Sequence, residues 1–584
     1  MDIRTHLQDH LLLFDGAMGT YYAALGGKGS CEEANLTAPE TIAAIHRAYV
    51  DAGARAIKTN TFGLRPHAMG REKCFSLLDA AWDLAAPFGG RACLFGDLGP
   101  CSPEAADPAG EYIALAERFL AKGAKHFLFE TLPDAAGISE AAAFIKGRDP
   151  EAFILVSFAA GPDGFTPAGR LARELLKTCA GDPNIDAVGL NCGTSPRDMA
   201  ALAAALGPLD KPLSLMPNAG YPTVLGRRTW YQGAPDYFGS QLRELCARGA
   251  AILGGCCGTT PEHIASAARA LREPLPKRIL PAPAAEKARP EAGENPFWQA
   301  LCDPGKKPVA VELDPPEAAE VEKFMAGARE LQQAGAAILT IADCPIARAR
   351  MDSSLLACKV RRELGMQALP HMTCRDRNLN ATKALLLGLH VEGVRNVLAV
   401  TGDPIPSASR DEVKSVYNFN SRMLARYIAA LGQTVLPAPF QVFGALNVNA
   451  RNFSVQLDLA RQKVENGMCG FLTQPVLTEA ALENLRRARQ TLDARILGGI
   501  IPIVSHRNAV FMDNEVSGIS VGEDIIRRYE GLDRAAGEDL AVELSLEAAR
   551  KMADLVDGFY LITPFGRTGL MARILGAMER EGLI

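Results

Sequence analysis

Short apolar runs recur sixteen times along this chain, eight on either side of one Pro- and Ala-rich stretch, and that count constrains the fold more than any other feature. In the first half the runs are LLLFDG (11–16), RAIKTNTF (55–62), ACLFGDLG (92–99), HFLFET (126–131), FILVSFA (153–159), AVGLNC (187–192), LSLMPN (213–218) and AAILGGCC (250–257). In the second half they are VAVELD (309–314), AILTIAD (337–343), QALPHMT (367–373), RNVLAVTGD (395–403), QVFGALNV (441–448), GFLTQP (470–475), RILGGIIPIV (495–504) and DGFYLITP (557–564). Unbroken apolar runs suit parallel strands buried on both faces, and the Ala-, Leu- and Glu-rich segments between them suit crossover helices. An open doubly wound sheet gives a similar alternation. The count of eight, reached twice, and the lack of a G-x-G-x-x-G turn after a first strand favour an α/β fold of two (β/α)8 TIM barrels.

The stretch between them has little periodicity and reads as a linker over 273–304, leaving barrels at 1–272 and 305–584. Sixty-two basic against 67 acidic residues give a net charge of −5 with no long run of one sign. That excludes a nucleic-acid partner and an anionic membrane surface, both of which call for concentrated positive charge. Residues 1–14 hold too short an apolar core for a signal peptide, and no apolar run is long enough for a membrane span. Fourteen cysteines scattered over 584 residues suit a reducing, cytoplasmic setting rather than a disulfide framework.

Barrel enzymes place their chemistry at the C-terminal ends of strands. Polar and reactive residues collect there in this sequence: Asp15, Asn60, Glu130, Cys192, Asn218, Cys256 and Cys257 in the first half. Glu312, Asp343, His371, Asp403, Asn447 and Gln474 do so in the second. Polar groups at the ends of apolar strands cost free energy to desolvate and so need a reason.

In GLNCGTSP and GGCCGTTPEHI, Cys192 ends the sixth run and Cys256–Cys257 end the eighth. Neighbouring cysteines on a strand point opposite ways, but at a strand end before Gly258 the chain can turn both sulfurs to one point. Three thiolates around Zn2+ leave a fourth position open, where an incoming thiol is held as thiolate. The motifs LLLFDGAMGT, TNTFG, FETLPDA, GLNCGTSP, MPNAG and GGCCGTTPEHI, in this order, resemble the homocysteine S-methyltransferase family across residues 5–270. The resemblance implies zinc held by Cys192, Cys256 and Cys257. It further implies that Asp15 and Glu130 hold the amino group of homocysteine, with Asn191 and Asn218 near the substrate.

In the second half, VAVELDPP places Glu312 at a strand end, where a partly buried carboxyl with a raised pKa can act as general acid. Asp403 follows Gly402, which lets a flat ring approach the backbone, and Gln474 offers an amide that both donates and accepts. His371 and Lys463 are placed to reach a flavin. VELDPP, ILTIAD, LPHMTCRDRN, TGDP, FGALNVNA, RQKVENGMCGFLTQPV and GGIIPIVS make residues 305–584 resemble methylenetetrahydrofolate reductase. The resemblance implies an FAD-containing barrel that takes hydride from NAD(P)H and passes it to methylenetetrahydrofolate. Under it, Glu312 opens the folate ring as acid, Asp403 tunes pterin and flavin, and Gln474 holds the pterin. Thr340, His371, Ala445 and Lys463 meet the flavin, and His506 stands where relatives carry an aromatic residue over the folate.

Joined, the two halves are expected to make methylfolate and to methylate homocysteine to methionine. The sequence carries no D-x-H-x-x-G cobalamin signature. The methyl donor is therefore expected to be a sulfonium compound, or methylfolate through a corrinoid protein acting in trans. A second reading makes the first barrel a docking module for homocysteine or a corrinoid protein, with only the reductase turning over on a ferredoxin-type electron donor. Homo-oligomerisation is compatible with either.

Overall fold

A computed structural model of the chain describes residues 2–102, 105–225, 228–231, 233–273, 295–405, 414–516 and 518–584. It divides into two compact units, residues 1–287 and 288–584.

The strands of the first unit are β1 (Leu12–Leu13), β2 (Ala56–Lys58), β3 (Cys93–Leu98), β4 (His126–Leu132), β5 (Phe153–Phe158), β6 (Ala187–Asn191), β7 (Leu213–Met216) and β8 (Ala250–Leu253). All pair in parallel, each with its neighbours in sequence, and β8 returns to β1 through Leu12–Ile252 and Leu13–Leu253. Between β1 and β2 a single parallel bridge, Phe14 to Ala56, completes the ring. There the Arg55 N–H donates to the Leu13 carbonyl at 2.7 Å and the Asp15 N–H to that of Ala56 at 2.9 Å. An antiparallel ribbon, Pro222–Leu225 with Arg228–Tyr231, rises between β7 and the helix Pro235–Ala247.

The second unit repeats the plan as a closed barrel: β9 (Val309–Glu312), β10 (Ile338–Ile341), β11 (Gln367–Thr373), β12 (Asn396–Val400), β13 (Gln441–Leu446), β14 (Gly470–Pro475), β15 (Arg495–Ile500) and β16 (Gly558–Ile562). Its last strand pairs with its first, Glu312 lying opposite Ile562.

The strand period of two divides each apolar run between two cores. In the first barrel Leu12, Phe14, Ala56, Phe95, Leu128, Leu155, Ala187, Met216 and Ile252 fill the interior. Their alternates, among them Ile57, Leu94, Phe127, Val156, Val188 and Leu215, pack under the helices. Both faces are therefore apolar, which is why these runs lack polar alternation.

Each barrel is closed from its N-terminal end by a short helix. Ile3, on the helix Ile3–Asp9, joins the interior of the first barrel. In the second, Phe297 and Leu301 of the helix Pro296–Cys302 pack with Ala310, Leu398 and Phe443. That helix falls inside the span expected to be linker, so the linker reading does not hold for 296–302. The apolar triplet of Phe297, Trp298 and Leu301 buries itself where a linker would be solvated, and the Asn295 side chain caps the helix by accepting from the Trp298 N–H at 3.2 Å. Residues 274–294 of the expected linker lie outside the described residues. Among those described, no helix is long and apolar enough to cross a membrane.

Candidate functional site

At the C-terminal mouth of the first barrel, Cys192, Cys256 and Cys257 bring their Sγ atoms within 4.8 Å of one another. Cys192 and Cys257 are 3.8 Å apart. Ligands about 2.3 Å from a tetrahedral zinc lie about 3.8 Å from each other, so the donor set fits that ion. Backbone pairing across β6, β7 and β8 sets the arrangement. The Cys192 N–H donates to the Met216 carbonyl at 3.1 Å, the Cys256 N–H to Pro217 at 2.8 Å, and the Ala219 N–H to Cys257 at 2.9 Å.

Two left-handed residues aim the sulfurs. Cys192 has φ +59° and Gly258 φ +79°. A Cβ on Gly258 would stand 2.2 Å from the Tyr231 ring, so both conformation and space require glycine there. Crowding and burial push the thiols up, Cys192 to about 12, chiefly through its hydrogen bond with Cys256, and Cys257 to about 11, chiefly through that with Cys192. Three thiolates in so small a volume call for a cation among them.

Beside the sulfurs lies a cavity of about 410 Å³ whose floor holds four buried ionisable groups, Asp15, Lys58, Asp97 and Glu130. The Lys58 Nζ stands 3.3 Å from Glu130 Oε2 and 4.0 Å from Asp15 Oδ1, while Asp15 Oδ2 accepts from the Lys58 backbone N–H at 3.0 Å. Burial lifts Asp15 to about 7 against the pull of Lys58, and burial followed by the Glu130 charge lifts Asp97 well above the carboxylate range. Lys58 is held well above its ordinary value, because the attraction of Glu130 and Asp15 outweighs its desolvation.

Asn191 ties this group to the thiols. Its Nδ2 is 2.7 Å from Thr131 Oγ1, 3.4 Å from Glu130 Oε2 and 3.9 Å from Cys256 Sγ, and its Oδ1 accepts from the Thr131 N–H at 2.8 Å. Asn218 is buried next to the cysteine turn, its N–H on the Thr194 carbonyl at 3.1 Å and its Oδ1 without a partner. The candidates of the first half are thus brought together. Lys58 and Asp97 were not singled out from sequence, although a Lys and an Asp at the ends of the apolar runs RAIKTNTF and ACLFGDLG were a readable signal.

In the second barrel the buried acid is Glu312, lifted to about 7 by burial and partly restrained by a hydrogen bond from the Tyr560 hydroxyl. His371 Nε2 lies 3.6 Å from Glu312 Oε2 and has no hydrogen-bond partner, and burial lowers that imidazole to about 4. Thr340 sits beside Glu312 in the ladder, fully buried. Lys463 reaches back to the Ala445 carbonyl at 2.8 Å, and burial lowers it to about 8. Gln474, one residue before the end of β14, lies near Gly518, which also neighbours Asn447.

Asp403 and His506 do not join Glu312 in the interior; both side chains lie exposed at the rim. The Arg375 guanidinium holds the Asp403 carbonyl at 3.2 Å. Tyr560, which contacts the acid directly, was missed: it sits inside the apolar run DGFYLITP, where nothing marks it as polar. The orphaned His371 nitrogen and the ring of strand-end donors and acceptors fit a flat polar ligand such as flavin.

Reactive groups at the C-terminal mouths of the strands are what barrel enzymes carry, and each half holds one such candidate site. Residues 12–271 match the family model for homocysteine S-methyltransferase, and residues 298–578 that for methylenetetrahydrofolate reductase. The first barrel is thus similar to the former family and the second to the latter. Over 309 residues the chain is 30% identical to methionine synthase of Mycobacterium tuberculosis, a match covering 46% of this chain and 25% of that protein. Methionine synthase of Mycobacterium leprae is 31% identical over 307 residues, with the same coverage. The chain thus matches a quarter of the length of these relatives. Among solved structures, the metallated homocysteine methyltransferase MmuM from Escherichia coli is 25% identical, over 46% of this chain and 99% of that one, with a TM-score of 0.39.

Proposed function

We propose that the first barrel transfers a methyl group to the sulfur of homocysteine, giving methionine, and that the second reduces methylenetetrahydrofolate to methylfolate with FAD. The observation that carries this reading is the convergence of three sulfurs within 4.8 Å beside a buried ion cluster that contains both acids expected to face the substrate. Cys192, Cys256 and Cys257 would hold zinc, which when bound lowers the pKa of a coordinated thiol and so supplies a thiolate at neutral pH. Asp15 and Glu130 orient the ammonium of the acceptor, and Asn191 keeps Glu130 in register with Cys256. The site is set inside a cavity of about 410 Å³, suited to a small amino acid and part of a donor.

In the second barrel Thr340, His371, Ala445 and Lys463 would line FAD, which when bound supplies hydride transfer between a reduced nicotinamide and the folate. Glu312, about half protonated near pH 7, gives its proton to the folate ring nitrogen. Tyr560 fixes the direction of that carboxyl, and Gln474 holds the pterin edge. Asp403, exposed at the rim, would tune the pterin and flavin, and His506, also exposed, would lie over the folate.

The test is metal and flavin analysis of purified full-length chain, then assay of methionine from homocysteine with each donor. The donors are S-methylmethionine, S-adenosylmethionine, and methylfolate with and without an added corrinoid. Methionine from at least one donor, with about one zinc per chain, supports the reading. A zinc-loaded protein that makes methionine from none of them overturns the first half of it. Failure of both NADH and NADPH to bleach the flavin would replace the nicotinamide by a ferredoxin-type donor.

A further inference from the structure

Among the described residues lining the first cavity, Lys58 is the sole basic side chain, and it is 7% exposed. A floor made only of Asp15, Asp97 and Glu130 would favour a bare cation and repel any carboxylate that the ligand also carried. Lys58 changes that balance. Its ammonium has three N–H groups, and the nearest acceptor, Glu130 Oε2 at 3.3 Å, engages one of them. Asp15 Oδ1, 4.0 Å away, is buried and has no hydrogen-bond partner. The floor therefore presents a charged donor and a charged acceptor side by side, the complement of an ammonium next to a carboxylate. Asn191 Nδ2 touches both Glu130 and Cys256, so a short aliphatic thiol spans from the sulfur cluster to this pair.

We propose that Lys58 is the specificity-determining residue of the first site, selecting a thiol that carries an α-carboxylate beside its ammonium over the same thiol without the carboxylate. The proposal rests on the methyl-acceptor reading above and adds the group that reads the acceptor's acid end. Lys58 donates to the carboxylate, while Asp15 and Glu130 accept from the ammonium.

The experiment is calorimetric titration of the zinc-loaded full chain with homocysteine and with 3-aminopropane-1-thiol, its decarboxylated counterpart. Lys58→Met is expected to weaken homocysteine binding by about 10- to 100-fold, the range for one charge-assisted hydrogen bond. Its affinity for 3-aminopropane-1-thiol is not expected to fall, and Lys58→Arg should keep the preference for homocysteine. Equal weakening of both thiols, or unchanged homocysteine affinity, overturns the proposal. Should Lys58→Met fail to fold with its carboxylates unpaired, Lys58→Met combined with Glu130→Gln removes the charges together and must show the same loss of selectivity. Wild-type protein that binds neither thiol overturns the acceptor reading itself, a result distinct from loss of selectivity alone.

Discussion

The Tyr560 hydroxyl donates to Glu312 Oε2 across the seam where the last strand of the second barrel meets the first. The contact exists only because the barrel closes: 248 residues separate the two partners. It stabilises the ionised form of a carboxyl that burial otherwise drives towards protonation.

Tyr560→Phe should therefore raise the Glu312 pKa above about 7. If Glu312 is the acid, the alkaline limb of the folate-reduction pH profile moves to higher pH in the variant, while the rate at pH 6 changes less than at pH 8. A profile that shifts to lower pH, or not at all, removes Glu312 from that role.

The same carboxyl makes a stability prediction. Its folded-state pKa lies above the ordinary 4.5, so the folded state binds the proton more tightly than the unfolded state. The contribution is fully present below about 4.5 and is lost as pH rises through about 7. Glu312→Gln does not titrate and should gain about 2–3 kcal/mol over wild type at pH 8, with the difference shrinking towards pH 5. Chemical denaturation of both proteins at the two pH values measures it.

Cys256→Ala should cut zinc content to near zero and abolish methionine formation while leaving folate reduction intact, because the sulfurs belong to the first unit alone. Retention of a full zinc equivalent would show that the ion sits elsewhere.

Asn191→Ala removes the amide that joins Thr131, Glu130 and Cys256. Leaving the Thr131 N–H without its acceptor should cost about 1–3 kcal/mol. Homocysteine binding should weaken as well, since Glu130 loses its tie to the thiols. Denaturation midpoints and calorimetry separate the two effects.

Phe297→Ala tests the plug under the second barrel. Phe297 is 1% exposed, with its ring centroid 6.0 Å from that of Phe443. Truncation should destabilise the second unit by about 3–5 kcal/mol. Zinc binding in the first unit should be untouched, as two-probe unfolding would show.

The cysteines, Asp15, Glu130 and Glu312 were legible because each ends an apolar run, and a polar group in that position is conspicuous in one dimension. The sixteen runs likewise announced two eight-stranded barrels, since strand count and period are local properties of the chain. Tyr560 was not legible, and for Lys58 and Asp97 the position was readable but the pairing was not, because the partners lie on other strands. Lys58 finds Glu130 72 residues away, and Tyr560 finds Glu312 only at the closing seam. For Asp403 and His506 the motif was readable, but the exposure of both side chains was not. What the sequence determined by itself was which strands form and what chemistry stands at their ends. Closure of the rings decided the rest, because burial and opposing charge act through space, and only a closed barrel sets one strand's carboxylate against another's ammonium or phenol.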